Sequence, residues 1–319
     1  MMVSLLEVRS LRVGYRSDGG VSWAIDGLNF SVGEGEIFGV VGESGCGKST
    51  LGLSLLKLFP PESRVEGEIV FEGEDILRLD EEKIRRLRGR KIAMVFQEPM
   101  ANLDPLMKIR DQFIELLGVH LRLSKRDALR MATSGLEAVG LPLENLALYP
   151  FELSHLSLGK VALAMALVLS PKLLVIDDLI SSLDATAQAE LLKVIASLRC
   201  GSAITLLIMT QNPRTLAQLT DSTMVMYAGE VVEVALTGDL LSTPLHPYSK
   251  SLVRSASDRG AGYRTPCSID GRASSSLNPP NGCKFYPRCF ESMDICSMRQ
   301  PNMVKLSRSR FVKCWKYYG

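Results

Sequence analysis

The fold of this chain is decided by one glycine-rich stretch, Gly42-Glu43-Ser44-Gly45-Cys46-Gly47-Lys48-Ser49-Thr50. It fits the pattern GxxxxGK[ST], in which glycines let successive backbone N–H groups point toward a phosphate. A short apolar run over residues 37–41 precedes it and predicts a strand covered on both faces. A helical pattern over residues 48–58 follows it. Because the helix N-terminus adds its dipole to the loop donors, the stretch predicts a phosphate loop.

Two side chains of the loop and one carboxylate further on predict what this site binds. Lys48 is expected to reach the β- and γ-phosphates of ATP or GTP, and the Ser49 hydroxyl to bind Mg²⁺. Asp177 ends a buried apolar run over residues 173–176, where an acidic residue holds Mg²⁺ through water in phosphate-loop proteins. Cys46 is interpreted as a small filler residue inside the loop.

Strands and helices alternate beyond the loop. Residues 106–147 lack β-branched runs and predict helices, as do residues 160–169 and 187–198. Buried strands are predicted at 92–96, 173–176 and 203–209, and half-buried antiparallel strands before residue 36. Alternation at these lengths predicts an α/β fold with a largely parallel sheet.

Composition limits the class of protein. The chain has 319 residues, enough for about two domains, and its net charge of +2 gives no support to a nucleic-acid binder whose affinity comes from bulk charge. Seven cysteines are too few for a secreted disulfide scaffold. No secretory signal and no apolar run of membrane-spanning length is recognised, so a soluble, cytoplasmic chain is expected.

The C-terminal part has its own composition. Residues 257–282 are rich in Gly, Ser, Arg and Pro and are interpreted as a linker. Four of the seven cysteines follow, spaced C-x₅-C-x₆-C-x₁₇-C: Cys283, Cys289, Cys296 and Cys314. Four thiolates suit an iron–sulfur cluster or Zn²⁺, although the spacing lacks the CxxC pair usual for structural zinc. The cluster, zinc, and free or disulfide-bonded cysteines all stay open on spacing alone.

The chain resembles the ATP-binding subunit of an ABC transporter, and within that family the oligopeptide/dipeptide importer branch. The resemblance covers nearly the whole chain and rests on Tyr15, residues 42–50, 95–100, 149–150, Asp177, 182–184, 226–230, 246–252 and the cysteine tail. It implies a phosphate-loop NTPase core with an antiparallel β subdomain and a helical subdomain, plus a small C-terminal cysteine-containing extension. The implied domains are residues 1–235, with a helical subdomain at about 98–150, and residues 236–319.

The resemblance also implies roles and partners. Tyr15 would stack on the adenine, and Gln97 would touch Mg²⁺ and the attacking water. Two such subunits would close head-to-tail on the cytoplasmic face of the cell membrane, so that each ATP also touches the partner's signature motif. ABC permease subunits would dock at the helical subdomain, a solute-binding protein outside the membrane would act indirectly, and no nucleic acid is expected. The cysteines would hold a [4Fe–4S] cluster, with zinc as the alternative.

Three departures from the family pattern fall on catalytic positions. Asp178 stands where the family has a glutamate general base, and one methylene less moves its carboxylate away from the lytic water. Gln211 replaces a histidine that contacts the γ-phosphate. The signature, LSGGQ in the family, reads LSHLS at residues 153–157, with His155 and Leu156 in place of both glycines.

These departures predict ATP binding with slow hydrolysis. His155 is interpreted as a surface residue rather than a substitute catalyst. A homodimer would contain two doubly weakened sites, whereas a heterodimer with a consensus partner would contain two singly weakened sites, so a heterodimer is favoured. The alternatives are a nucleotide-sensing, non-hydrolysing regulatory protein of the same family and a drifting copy without a role. A soluble ABC ATPase that acts on ribosomes or DNA is a third, which the single phosphate loop and the cysteine tail argue against.

Overall fold

The structure is a computed structural model that describes residues 4–17, 20–201, 204–257 and 279–318. Most of the linker predicted for residues 257–282 lies outside the described residues. The strands are β1 Ser4–Ser17, β2 Gly20–Gly33, β3 Ile37–Val41, β4 Arg64–Phe71, β5 Glu74–Asp75, β6 Ile92–Val95, β7 Leu173–Asp177, β8 Thr205–Thr210, β9 Ser222–Tyr227, β10 Glu230–Leu236, β11 Val304–Lys305 and β12 Phe311–Val312. The helices are α1 Lys48–Leu55, α2 Glu81–Leu87, α3 Ile109–Leu121, α4 Lys125–Ala138, α5 His155–Leu167, α6 Ala185–Gly201, α7 Pro213–Leu216, α8 Thr237–Ser242, α9 Pro247–Ser257 and α10 Asp294–Met298.

The chain divides into two compact units, of which the first comprises residues 1–79 and 208–319. This unit contains a four-stranded antiparallel sheet of order β2-β1-β4-β5. The short strands predicted before residue 36 are parts of two long strands, β1 and β2. These two strands stay paired along their length through several register shifts. One shift lies between Val8 and Leu11, next to Ser10 at φ +47°. Such a β-bulge adds a residue to one strand without ending the pairing.

A second group of strands in the first unit carries the phosphate loop. The order is β11-β12-β10-β9-β3, and β3 pairs with β9 in parallel. Every residue of β3 is buried, which confirms the expectation for residues 37–41. At the end of β3, the Gly42 N–H donates to the carbonyl of Thr210, the last residue of β8, with N···O 3.4 Å. The loop therefore begins at the carboxyl end of a fully buried strand.

The second unit, residues 80–207, is built of strands and helices in alternation. Strands β6 and β7 pair in parallel, and the Thr205 N–H at the start of β8 donates to the Lys172 carbonyl at 2.9 Å. Helices α3 and α4 confirm the helical prediction for residues 106–147. The parallel strand pairs of both units and the intervening helices make this an α/β fold with an additional antiparallel sheet.

Two of the helix boundaries that differ from the sequence prediction have a clear local cause. Helix α5 begins at His155 instead of residue 160, because Ser154 caps it by accepting the Ser157 N–H at 3.1 Å. Helix α1 ends at Leu55 instead of residue 58, because the next residues form a turn in which the Leu58 N–H returns to the Leu53 carbonyl. The first difference matters for function, since it places the signature segment in a helix.

The domain boundary after residue 235 stays a prediction. Within the residues that the structure describes, no helix combines the length and apolar character needed to cross a membrane.

Candidate nucleotide-binding site

The loop between β3 and α1 requires glycine at two positions. Gly47 has φ +108°, and a Cβ there would lie 2.5 Å from the Ala24 carbonyl oxygen. A Cβ on Gly42 would lie 2.3 Å from the Met226 carbonyl oxygen. Both distances are shorter than any real Cβ contact, so the backbone of the loop packs directly on neighbouring backbone. Glycine at both positions therefore lets the loop lie against these two carbonyl groups.

Lys48 is buried inside the loop. Its Nζ donates to the carbonyl oxygens of Gly42 at 2.7 Å and Glu43 at 2.9 Å, and lies 3.6 Å from the Cys46 Sγ. Burial raises the pKa of the Cys46 thiol, so the thiol is neutral and acts as a small apolar group. The loop thus holds one ammonium group against its own backbone, next to the donors of the helix N-terminus.

Tyr15 lies beside the helix that follows the loop. Its hydroxyl donates to Thr50 Oγ1 at 3.3 Å, while Ser49, one residue earlier, is exposed. Tyr15 is partly buried. The first unit therefore brings together the predicted phosphate-binding residues and the predicted aromatic platform.

The second unit contains the predicted magnesium ligands. Asp177 is the buried last residue of β7, and Gln97 is exposed just beyond β6. Because β6 and β7 are parallel, with Val95 opposite Ile176, Gln97 and Asp177 follow the same edge of the sheet.

Asp178, at the position of the general base, has an unusual environment. It is buried, with 4% of its surface exposed, and its backbone has φ +43°. The left-handed conformation is uncommon for residues other than glycine, although aspartate tolerates it better than most. One carboxylate oxygen, Oδ1, accepts a hydrogen bond from the Ser181 hydroxyl. Gln211, at the position of the family histidine, belongs to the first unit and is exposed directly after β8.

The signature segment begins helix α5. His155, the first residue of α5, is exposed, as expected for a surface residue. An open depression of about 620 Å³ lies beside it and also carries Asp184 and Glu190. Asp184 caps helix α6 by accepting the N–H groups of Thr186 and Ala187, both at 3.0 Å. The depression thus combines two carboxylates with the start of helix α5.

Two residues at the site were missed by the sequence reasoning. The Tyr248 hydroxyl accepts the N–H of Glu43 at 2.8 Å, and Arg288 binds the Glu43 carboxylate through both Nη atoms at 2.8 and 3.0 Å. Tyr248 lies in residues 246–252, which carry part of the resemblance, but nothing in that segment indicates contact with the loop. Arg288 lies 245 positions from Glu43, and no local pattern connects the two.

The four tail cysteines lie close together and form no disulfide. Burial, with smaller contributions from the other three thiols, raises the pKa of the Cys283 thiol to about 11. Nevertheless, among the described residues no three or more Cys, His, Asp or Glu side chains are placed as ligands of one metal ion. The thiols suit iron–sulfur or zinc as donors, but their arrangement here is not that of a metal site.

A buried strand, a glycine loop with an enclosed lysine and a following helix define a phosphate-loop nucleotide-binding protein. Residues 25–181 match the ABC transporter family model, and residues 232–296 match the model described as the oligopeptide/dipeptide transporter C-terminal region. The chain belongs to the ATP-binding subunits of ABC transporters, with the C-terminal region of the oligopeptide/dipeptide branch, which confirms the resemblance.

Curated relatives extend along almost the whole chain. The probable peptide ABC transporter ATP-binding protein y4tR of Sinorhizobium fredii is 36% identical over 98% of this chain and 95% of its own length. The dipeptide transport ATP-binding protein DppD of Bacillus subtilis is also 36% identical, with the same coverage of both chains. Among solved structures, cbiO1 from Clostridium perfringens, part of the ABC transporter complex cbiONQ, is 25% identical with a TM-score of 0.64, covering 82% of this chain and 96% of its own.

Proposed function

We propose that this chain binds ATP as the peripheral, cytoplasmic-face subunit of a peptide-type importer and couples nucleotide binding and hydrolysis to solute uptake. The observation that carries the proposal is the phosphate loop, with Lys48 enclosed between the backbone of Gly42 and Glu43. Relatives named for peptide and dipeptide transport, matching 98% of the chain, support the class of solute. No observation favours the nucleotide-sensing alternative over this function.

Each predicted site residue has a role in the proposal. The loop amides and Lys48 bind the phosphates, and Tyr15 stacks on the adenine. Ser49, Gln97 and Asp177 are oxygen donors of the kind that Mg²⁺ prefers, and they would hold the ion that accompanies ATP. Mg²⁺ neutralises phosphate charge when it is bound. The residues of the chain itself supply positioning and the exclusion of water.

Hydrolysis by this chain is proposed to be weak. A general base must hold its carboxylate within hydrogen-bond reach of the attacking water, and such a base supplies about 10²–10⁴-fold in rate. The carboxylate of Asp178 is one methylene short and already accepts the Ser181 hydroxyl. Gln211 offers an amide where an imidazole would contact the γ-phosphate.

The proposed partners follow from the same departures. A second ATP-binding subunit with a consensus signature would complete the nucleotide site of this chain, so a heterodimer is favoured over a homodimer. In return, His155 and the carboxylates of Asp184 and Glu190 would face the partner's nucleotide, which predicts weaker catalysis there too. When the two ATP-binding subunits close on ATP, permease subunits in the membrane would respond to that closure. An extracytoplasmic solute-binding protein would deliver the solute.

The four-cysteine segment is proposed to hold a [4Fe–4S] cluster, with zinc as the alternative. The spacing of Cys283, Cys289, Cys296 and Cys314 and their mutual effect on the thiol pKa support this. No step of the transport cycle is assigned to the group, because the thiols are not arranged as its ligands. A brown anaerobic preparation absorbing near 400 nm would support the cluster, and a colourless one with stoichiometric zinc would support zinc. A colourless preparation free of metal would contradict both.

The central test is nucleotide binding by the purified full-length chain. We expect isothermal titration to show ATP binding that Lys48→Ala removes, with phosphate release well below ~1 s⁻¹, the low end of ordinary enzyme rates. Absence of ATP binding would contradict the proposed function. Turnover at or above that rate would contradict weak hydrolysis while leaving the function intact.

A further inference from the structure

A short turn of the C-terminal extension contacts the phosphate loop directly. Arg288 donates from Nη1 to Glu43 Oε2 at 2.8 Å and from Nη2 to Oε1 at 3.0 Å. Only 5% of the Arg288 side chain is exposed. Two parallel bonds between planar groups fix direction as well as distance, so Arg288 determines where the Glu43 carboxylate lies.

The backbone of Glu43 is held from the same side. Its N–H donates to the hydroxyl of Tyr248 at 2.8 Å. Tyr248 is fully buried, and its ring packs against Tyr227 and Phe285 with centroid distances of 4.7 and 5.4 Å. A ring held in this way has little freedom to move its hydroxyl, so the acceptor for Glu43 is fixed in advance.

The turn that carries Arg288 is also held by a second residue, Lys284. Lys284 is buried and donates to Asp26 Oδ2 at 2.8 Å and to the Ala228 carbonyl at 3.0 Å. Gly229, which follows Ala228, donates its N–H to the carbonyl of Cys46 inside the loop at 3.0 Å. Burial alone would raise the pKa of Asp26, but Lys284 and Arg12 together lower it below its usual range, which keeps this ion pair charged.

Glu43 connects Arg288 and Tyr248 to the phosphate-binding lysine. The Glu43 carbonyl accepts a hydrogen bond from Lys48 Nζ at 2.9 Å, and the carbonyl of the preceding Gly42 accepts another at 2.7 Å. A shift of Glu43 therefore moves both acceptors that hold the ammonium group. Arg288 and Tyr248 contact the loop at Glu43, and their effect on Lys48 passes through that residue.

We propose that Arg288 and Tyr248 are positioning residues of the nucleotide site, which hold Glu43 and through it Lys48 in the arrangement that binds the phosphates of ATP. The proposal rests on the proposed nucleotide binding and adds that the C-terminal extension sets its affinity. A loop held in place before the ligand arrives loses less freedom on binding, so release of Glu43 weakens ATP binding.

The test measures the ATP dissociation constant of the full-length protein by isothermal titration. Arg288→Gln keeps a polar side chain but removes the charged two-point bond, and we expect about tenfold weaker binding, in line with a charge-assisted hydrogen bond. Arg288→Lys keeps the positive charge but cannot make two parallel hydrogen bonds to Glu43. We therefore expect it to weaken ATP binding by most of the factor seen for Arg288→Gln. Tyr248→Phe keeps the ring packing and removes only the hydroxyl, for an expected loss of about threefold or more.

A double-mutant cycle separates positioning from a general effect on folding. Glu43→Gln should weaken ATP binding as Arg288→Gln does, and the double variant should be no weaker than either single one, because both remove the same contact. Arg310→Gln is the matched control. It removes another partly buried arginine of the extension, one paired with Glu233, and should lower the melting temperature without changing ATP affinity.

The failures of the two proposals are distinguishable. If the unsubstituted chain does not bind ATP, the nucleotide function itself is wrong. If it binds ATP, and Arg288→Gln and Tyr248→Phe each change the dissociation constant less than twofold, the positioning role is overturned. Additive losses in the cycle would overturn it too, since they would show that Glu43 and Arg288 act independently.

Discussion

The carboxylate of Asp178 accepts a hydrogen bond from the hydroxyl of Ser181, three residues further along the same loop. The bond closes a tight turn that begins with the left-handed backbone of Asp178. The carboxylate that we predict at the position of the general base is therefore directed back toward its own chain, in addition to being shorter than a glutamate by one methylene.

Restoring the glutamate alone should change little. For Asp178→Glu we expect less than a fivefold rise in phosphate release, because the partner signature in a homodimer still lacks both glycines. Steady-state phosphate release by the purified chain measures this, with Lys48→Ala as the blank. A rise to ordinary rates of ~1 s⁻¹ or more would show that the signature does not limit turnover.

Repair of the signature should act together with the glutamate. We expect His155→Gly with Leu156→Gly to raise phosphate release clearly only when Asp178→Glu is also present, since each composite site then regains both halves. The combined gain should exceed the product of the separate gains. Simple multiplication of the two effects would contradict a site shared between two chains.

A buried ion pair in the second unit offers a test of stability. Lys160 is 5% exposed and pairs with Glu190 at 2.5 Å, while Glu190 is about half exposed. Glu190→Ala leaves the buried ammonium with the Gly140 carbonyl at 3.4 Å, and should lower the free energy of unfolding by roughly 1–3 kcal/mol, discounted for the exposure of Glu190. Lys160→Met should lower the free energy of unfolding by less than Glu190→Ala does, because it removes the buried charge together with its partner contact. Urea denaturation of both variants checks the order, and a greater loss for Lys160→Met would contradict it.

Acid should destabilise the protein through His246. Burial lowers the pKa of His246 to about 3 from an ordinary 6.5, and its Nδ1 accepts the Tyr248 N–H. The unfolded chain binds the proton first, so this contribution to stability is present above pH 6.5 and is lost as the pH falls toward 3. At pH 5 the loss is about 2 kcal/mol relative to neutral pH.

The variant His246→Asn isolates this effect. It keeps an acceptor near the Tyr248 N–H but does not titrate, so its free energy of unfolding should decline less between pH 7 and 5 than that of the unsubstituted protein. His155→Asn, at an exposed position, should leave the decline as it is. Equal declines in all three proteins would show that His246 does not govern the pH dependence.

The sequence predicted what local pattern dictates. The loop at residues 42–50, the buried strand β3 and the helices α3 and α4 follow from spacing and periodicity alone, and the structure confirms them. The start of α5 was missed because one capping hydroxyl, that of Ser154, decides it. The sequence predicted several short strands in place of β1 and β2. A bulge interrupts the alternation of apolar and polar residues without ending the strand.

Features that join distant segments could not be predicted. The contact between Glu43 and Arg288 depends on how a terminal turn packs, and neither neighbourhood carries a signal for it. The arrangement of the four tail thiols likewise depends on three-dimensional packing. Their spacing left a metal site and free or disulfide-bonded cysteines open, and among the described residues no group of three or more Cys, His, Asp or Glu side chains is placed to hold a metal ion.

The separation between Glu43 and Arg288 also has a consequence for biosynthesis. At ribosomal speeds of roughly 5–20 residues per second, the 245 positions between them take about 10–50 s to synthesise. During that interval the nascent phosphate loop lacks its arginine partner. On the proposed positioning role of Arg288, full nucleotide affinity would arise only after Arg288 has been synthesised, which delays ATP capture by the same interval.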